Sequence, residues 1–273
     1  TLMFTEVPFR ERFAAAAGAG FRFVEYQFPY DLGTPEEIAG WARVAGLEVV
    51  LHNLPLGDAT RGDAGIACLP DRVEEFRTGI EKAVTYATAA GCRRLNCLAG
   101  NTPAGAQRQQ LLDTLIDNLA FAAERCQTAG VTLMLEPLNP HTMPSYLLRT
   151  SAEAVAVISA VAHPNLRLQY DLFQMQMAEG NLAATIERLL PSIGHMQIAG
   201  VPGRHEPDAG ELNHAWLLAQ GVPFAFSMVL AAGLSGAVGL VIGLPSIRVS
   251  GLYLAMVTLA FAQMLYYLFH DTK

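Results

Sequence analysis

The segment LMLEPLN, residues 133–139, carries the pattern that decides the fold: an apolar run that ends on a carboxylate, Glu136, with a proline directly after it. A short apolar run bounded by turn-forming residues reads as a strand buried on both faces, as in a parallel sheet. LQYDLF, residues 168–173, repeats the design with Asp171 at its end, and four more runs follow the same plan. The expected strands are 21–26, 47–51, 94–98, 131–135, 166–170 and 193–198, with a seventh, clipped one at 2–5.

Helical stretches separate these runs. Thr34-Pro35-Glu36-Glu37 supplies an N-cap hydroxyl, a proline at the first helical position and a carboxylate at the third, a capping box for a helix that Gly46 closes. A second helix over 71–90 stops at Gly91, and a third, through Asn118 and Glu124, stops near Gly130. Strands alternating with helices imply repeated β-α units and a parallel sheet. The expected fold class is therefore α/β, an incomplete (β/α)₈ barrel lacking its last strand, since six strands and a clipped seventh leave a barrel of eight one short.

Charge divides the chain. The first 216 residues hold 16 of the 18 Lys and Arg and 24 of the 25 Asp and Glu, whereas 217–273 hold only Arg248, Asp271 and Lys273. The head, 1–216, reads as a mildly acidic cytoplasmic domain without a basic run, which argues against nucleic-acid binding and favours small-molecule chemistry. Cys68, Cys92, Cys97 and Cys126 show neither zinc-type pairing nor disulfide density, which fits a reducing compartment. The N-terminus does not read as a signal peptide. In the tail, 222–243 and 251–269 are free of charge apart from Arg248 between them, and each matches the ~20 residues needed to cross a bilayer. Gly239 and Gly243 form a GxxxG pair suited to close helix packing in lipid. Two transmembrane-type helices, and membrane association through 222–269, are the expectation for 217–273.

Polar residues gather at the ends of the apolar runs: Glu25, His52 with Asn53, Glu136, Asp171 and Gln197. In a parallel barrel the C-terminal strand ends converge on the active site. A buried carboxylate needs a cation or hydrogen-bond donors, and the oxygens of Glu136, Asp171 and Gln197 suit a hard divalent ion such as Mg²⁺ or Mn²⁺. Loop amides satisfy a single strand-end carboxylate equally well, and Glu25 could pair with a nearby arginine. His141 and His163 are read as loop residues, and His195 as facing packing.

The phrases VEYQFPYD (24–31), HNLPLGD (52–58), GIACLP (65–70), LNCLAG (95–100), LMLEPLN, LRLQYDLFQMQ (166–176), IGHMQIA (193–199) and PGRHEPDAGELN (202–213) together resemble the hydroxypyruvate isomerase and 2-oxo-tetronate isomerase family of xylose-isomerase-like barrels. The resemblance runs from residue 1 to about 216. It implies that Glu136, Asp171 and Gln197 fall on metal-ligand positions and that Glu136 is one of two proton-shuttling glutamates. The implied reaction converts hydroxypyruvate to tartronate semialdehyde, or a longer 2-oxo acid analogue, through an enediolate. Arg204 and His205 look like substrate-side groups, with Arg204 suited to a bidentate grip on the substrate carboxylate. Glu25 and His52 complete the expected substrate contacts.

Departures from that pattern are also visible. The family's eighth-strand glutamate, both ligand and second shuttle, has no counterpart in the pattern before it breaks near 216–222, which leaves Glu136 to act alone. Gln174 stands where the family has His, and Gly200 where it has Asp. From about 220 to 273 the tail resembles the permease subunit of branched-chain amino-acid ABC transporters. Two spans are too few for a translocation path. The sequence therefore admits three outcomes: an isomerase with a replaced C-terminus, a fragment of a transport component, or an inactive joined product.

Overall fold

All six apolar runs form strands: β1 Phe23–Tyr26, β2 Glu48–Asn53, β3 Arg94–Leu98, β4 Thr132–Glu136, β5 Leu166–Asp171 and β6 Ile193–Gln197. They differ from the expected spans by one or two residues at their ends. The computed structural model describes residues 3–208 and 210–214. Every neighbouring pair is parallel, and the order β1-β2-β3-β4-β5-β6 follows the chain. Strands that pair in chain order with helical crossovers between them build the wall of a (β/α) barrel. The described residues thus form an incomplete TIM barrel of six parallel strands.

Residues 3–5 do not extend the sheet. Phe4 has φ +58° and its carbonyl accepts from the Val7 amide at 3.3 Å, so the chain turns where a seventh strand was expected. A phenylalanine in the left-handed region cannot continue an extended run.

α1 Phe9–Gly18 precedes β1, and the crossovers are α2 Pro35–Val44, α3 Val73–Ala90, α4 Arg108–Thr128, α5 Ser151–Val161, and α6 Leu172–Ala178 with α7 Leu182–Leu189. At the start of α2 the Glu37 amide donates to Thr34 Oγ1 at 3.2 Å, and the Thr34 amide donates to Glu37 Oε2 at 2.8 Å, which completes the capping box. Gly91, at φ +65°, ends α3. Residues Pro70–Arg72 make a separate 3₁₀ turn, so α3 begins two residues later than the capping signals suggest.

Alternation along β4 separates two environments. Leu133 and Leu135 join the apolar layer between sheet and helices, while Met134 and Glu136 point to the other face. On that inner face the space is tight: a Cβ on Gly194 would lie 2.7 Å from the Met134 sulfur and from Arg167 Cβ. The four cysteines are buried and free. Burial raises their thiols, Cys92 to about 11, which keeps them protonated and unreactive.

The chain separates into two units, Thr1–Leu217 and Leu218–Lys273. The second lies outside the described residues, and with it both expected membrane spans and the permease-like segment. Among the described residues no helix is long and apolar enough to cross a membrane.

His52 departs from its expected role. It is the register partner of Tyr26, whose ring meets Phe9 and Phe13 of α1 edge-on at 5.6 and 6.1 Å. The imidazole stacks on Tyr26 at 5.7 Å and is fully buried under the helices, away from the barrel interior. Strand parity is the reason: if Asn53 faces inward, His52 must face outward. Burial lowers the His52 pKa to about 4, the bond to the Asn53 carbonyl offsetting only part of the loss. A base whose folded pKa lies below its unfolded value of ~6.5 stabilises the fold fully above that pH and loses the contribution as pH falls to 4. Denaturant melts should therefore lose ~3 kcal/mol between pH 7 and pH 4 from this group alone, and His52→Phe should flatten that part of the profile. An unchanged slope in the variant would remove His52 as the cause.

Candidate active site

Four adjacent strand ends deliver the polar groups. Glu136 closes β4 and is 5% exposed, and Asp171 closes β5 and is 2% exposed. Asn96, in the middle of the run LNCL on β3, donates through Nδ2 to Glu136 Oε2 at 2.6 Å and to Asn53 Oδ1 at 3.1 Å. Both amide protons of Asn96 are thereby used, and Glu136 Oε2 is held. Asp171 divides its two oxygens. Oδ1 caps α6, accepting from the amides of Phe173 at 2.8 Å and Gln174 at 3.4 Å, while Oδ2 accepts from Arg204 Nη2 at 3.0 Å.

β6 adds Gln197, the register partner of Asp171. Its Nε2 donates to Glu25 Oε1 at 2.6 Å, and its Oε1 accepts from Gln169 Nε2 at 2.9 Å. Glu25 Oε2 lies 2.8 Å from His195 Nε2. The expectation that His195 faces packing is overturned. Residues i and i+2 of a strand share a face, so His195 and Gln197 both reach Glu25. Glu25 thus links β1 to β6 through side chains, in place of the arginine partner considered for it.

Burial first, and the neighbouring Asp171 charge second, raise Glu136 to about 8; the Asn96 bond and Arg204 offset part of this. Burial also raises Asp171, with Arg204 the main opposing influence. The guanidinium stacks over the Phe173 ring at 5.1 Å. Its loop is closed by a bond from the Gly200 amide to the His205 carbonyl at 2.8 Å and from the Glu211 amide to the Val201 carbonyl at 3.1 Å. His205 is exposed and its ring lies against Gly203.

Glu136, Asp171, Gln197, Arg204 and Glu25 are therefore gathered around one inner surface, and His52 is not. Gln174, at the position that departs from the resembled pattern, accepts from Asn139 through both the backbone amide, 3.0 Å, and Nδ2, 2.6 Å, so it braces the loop after β4. Sequence reasoning missed Asn96 and Gln169 as members of the site. The signal was present in an amide set among the apolar residues of each run, Asn96 in LNCL and Gln169 in LRLQY. His163 Nε2 lies 3.3 Å from Glu124 at the surface, in keeping with a loop role.

For a divalent cation the donor chemistry is suitable: two buried carboxylates with an amide beside them. Among the described residues no group of three or more His, Cys, Asp or Glu side chains could hold a metal. A third ligand from this set would have to be Gln197, whose oxygen accepts from Gln169. Among the described residues Asn96 Oδ1 and Gln169 Oε1 are buried acceptors without a partner, and both suit a donor such as a hydroxyl.

The profile of the xylose isomerase-like TIM barrel matches residues 13–240, reaching past the charge boundary at 216. Hydroxypyruvate isomerase of Escherichia coli K12 is 43% identical over 217 residues, spanning 80% of this chain and 84% of that protein. A 2-oxo-tetronate isomerase of Cupriavidus necator is 40% identical over 239 residues, 88% of each. Among solved structures, a protein described as AP endonuclease, family 2 from Brucella melitensis aligns with a TM-score of 0.78 at 42% identity, covering 80% of this chain and 84% of that one. The 3-keto-D-glucoside 4-epimerase of E. coli aligns at a TM-score of 0.65 over 80% of this chain and 83% of that one, and at 20% identity it shows the fold alone. With a family profile over most of its length and relatives above 40% identity, the chain belongs to the xylose isomerase-like TIM barrel family.

Proposed function

We propose that the site isomerises a small 2-oxo acid bearing a hydroxyl on the neighbouring carbon, of the hydroxypyruvate or 2-oxo-tetronate type. The observation that carries this reading is Glu136: a carboxyl buried at a strand end, held on one oxygen by Asn96, and raised to about 8. A carboxyl whose charged form is disfavoured by burial is a stronger base than an exposed one, which suits it to general acid-base catalysis. The names of the relatives supply the substrate class, and the buried carboxylates supply the chemistry.

Glu136 removes the proton from the hydroxyl-bearing carbon next to the ketone, which leaves an enediolate. Its carboxyl proton exchanges with solvent, and it delivers a proton to the former carbonyl carbon while the hydroxyl and carbonyl oxygens exchange a proton, so hydroxypyruvate becomes tartronate semialdehyde. In this reading one carboxyl, Glu136, serves both transfers. A divalent ion, Mg²⁺ or Mn²⁺, would be held by Glu136, Asp171 and Gln197 and would stabilise the enediolate oxygen as a Lewis acid. Arg204 grips the substrate carboxylate, and exposed His205 lines the same loop. Glu25 fixes the amide of Gln197 and acts through it.

Proton NMR in D₂O tests the assignment directly. Wild-type protein should wash deuterium into the hydroxymethylene carbon of hydroxypyruvate, and Glu136→Gln should slow the exchange by about 10²-fold or more. No exchange by wild-type protein with Mg²⁺ or Mn²⁺ added would sink the isomerase reading. Asn96→Leu removes the donor to Glu136 with little change of volume. It should lower kcat by about tenfold or more, the value of a hydrogen bond to a charged group, and leave KM within about twofold. A matched rise in KM would instead place Asn96 in substrate binding.

The charge-free runs in 217–273 favour a second reading for that segment alone, as a permease-like membrane piece. Alkaline carbonate should then leave the full chain in the membrane pellet, and release into the supernatant would return the segment to a soluble fold.

A further inference from the structure

Asp171 offers one oxygen to the site. Oδ1 is committed to the amides of Phe173 and Gln174 at the start of α6, so only Oδ2 faces a ligand, and Arg204 Nη2 occupies it at 3.0 Å. The two partners differ in freedom. The Asp171 side chain is 2% exposed and fixed by its helix, whereas the Arg204 side chain is 39% exposed on a loop. Arg204 also takes φ +57°, a conformation that L-residues seldom adopt outside glycine, held by the backbone bonds that close the loop on either side of it. The Phe173 ring at 5.1 Å gives the guanidinium a second contact besides Asp171. A guanidinium and a divalent ion at bonding distance of the same oxygen repel each other, so each weakens the other's hold on Asp171 Oδ2.

We propose that Arg204 is the resident counter-cation of this site: it holds Asp171 Oδ2 while no divalent ion is bound, and gives that oxygen up to the ion as its guanidinium turns to the substrate carboxylate. This rests on the metal-dependent isomerase reading given above. Two consequences follow from linkage. Arg204 weakens binding of the free ion, and a substrate carboxylate that draws Arg204 away strengthens it, so ion and substrate bind cooperatively. Arg204 also keeps two buried carboxylates from facing each other uncompensated in the ion-free protein.

The test is calorimetric titration of Mn²⁺ into the full-length chain, wild type and Arg204→Met, with Arg43→Met on the exposed face of α2 as a charge control. Arg204→Met should bind Mn²⁺ about tenfold more tightly or better, since a like charge has been removed from the ion's position, and Arg43→Met should match wild type. Melting curves give a readout independent of activity. Arg204→Met should melt several degrees below wild type without metal, and the gap should close in saturating Mn²⁺; Arg204→Lys should restore the metal-free melting temperature. Equal Mn²⁺ affinity in wild type and Arg204→Met, or a melting deficit that persists with Mn²⁺ bound, overturns the proposal while leaving the metal site intact. Absence of Mn²⁺ binding in all three proteins overturns the metal-dependent reading and the proposal together.

Discussion

Two carboxylates drawn out of water at adjacent strand ends set the terms for everything around them. Glu136 and Asp171 are each almost fully buried, and burial disfavours the charged form of both. An isolated buried charge would cost far more than the few kcal/mol by which a domain is stable, so compensation has to be built into the frame. It takes three forms here: the Asn96 amide on Glu136, the first amides of α6 on Asp171, and the Arg204 guanidinium. Each comes from a different element, which ties β3, α6 and the loop after β6 to the same point.

The barrel wall places these groups through parity and register alone. Asp171 and Gln197 are paired residues on β5 and β6, and Leu98 pairs with Glu136 across β3 and β4. Parallel pairing in chain order sends every C-terminal strand end to one rim, where side chains of alternate parity point inward. The same rule that brings Asn53 to Asn96, and Asn96 to Glu136, turns His52 away, to stack on Tyr26 beneath α1. Glu25 then spans from β1 to His195 and Gln197 of β6, so the two outer strands of the described sheet are joined by side chains.

Relatives at about 40% identity and a solved structure at 20% share this frame, and in such folds function resides in the groups grafted onto the frame. Arg204 is carried on a loop with its side chain partly exposed, while Asp171 and Glu136 are fixed by strand and helix.

Much of the architecture could be read from residue order. Apolar runs ending in polar residues, the Thr34 capping box and the Gly91 stop are local signals, and local physics decides them: strand burial, an N-cap hydroxyl, a left-handed C-terminal residue. The runs also marked Glu25, Glu136, Asp171 and Gln197, because a carboxylate or amide at the end of a buried strand has few other uses. Tertiary structure alone decided which of these meet. That His52 lies outside and Asn96 inside depends on which face of the sheet the helices cover. That Arg204 sits on Asp171 depends on a loop returning across 33 residues, and that Glu25 reaches Gln197 depends on the sheet curling. Sequence records what each residue can bond to; only the closed geometry of the chain determines what comes within 3 Å of it.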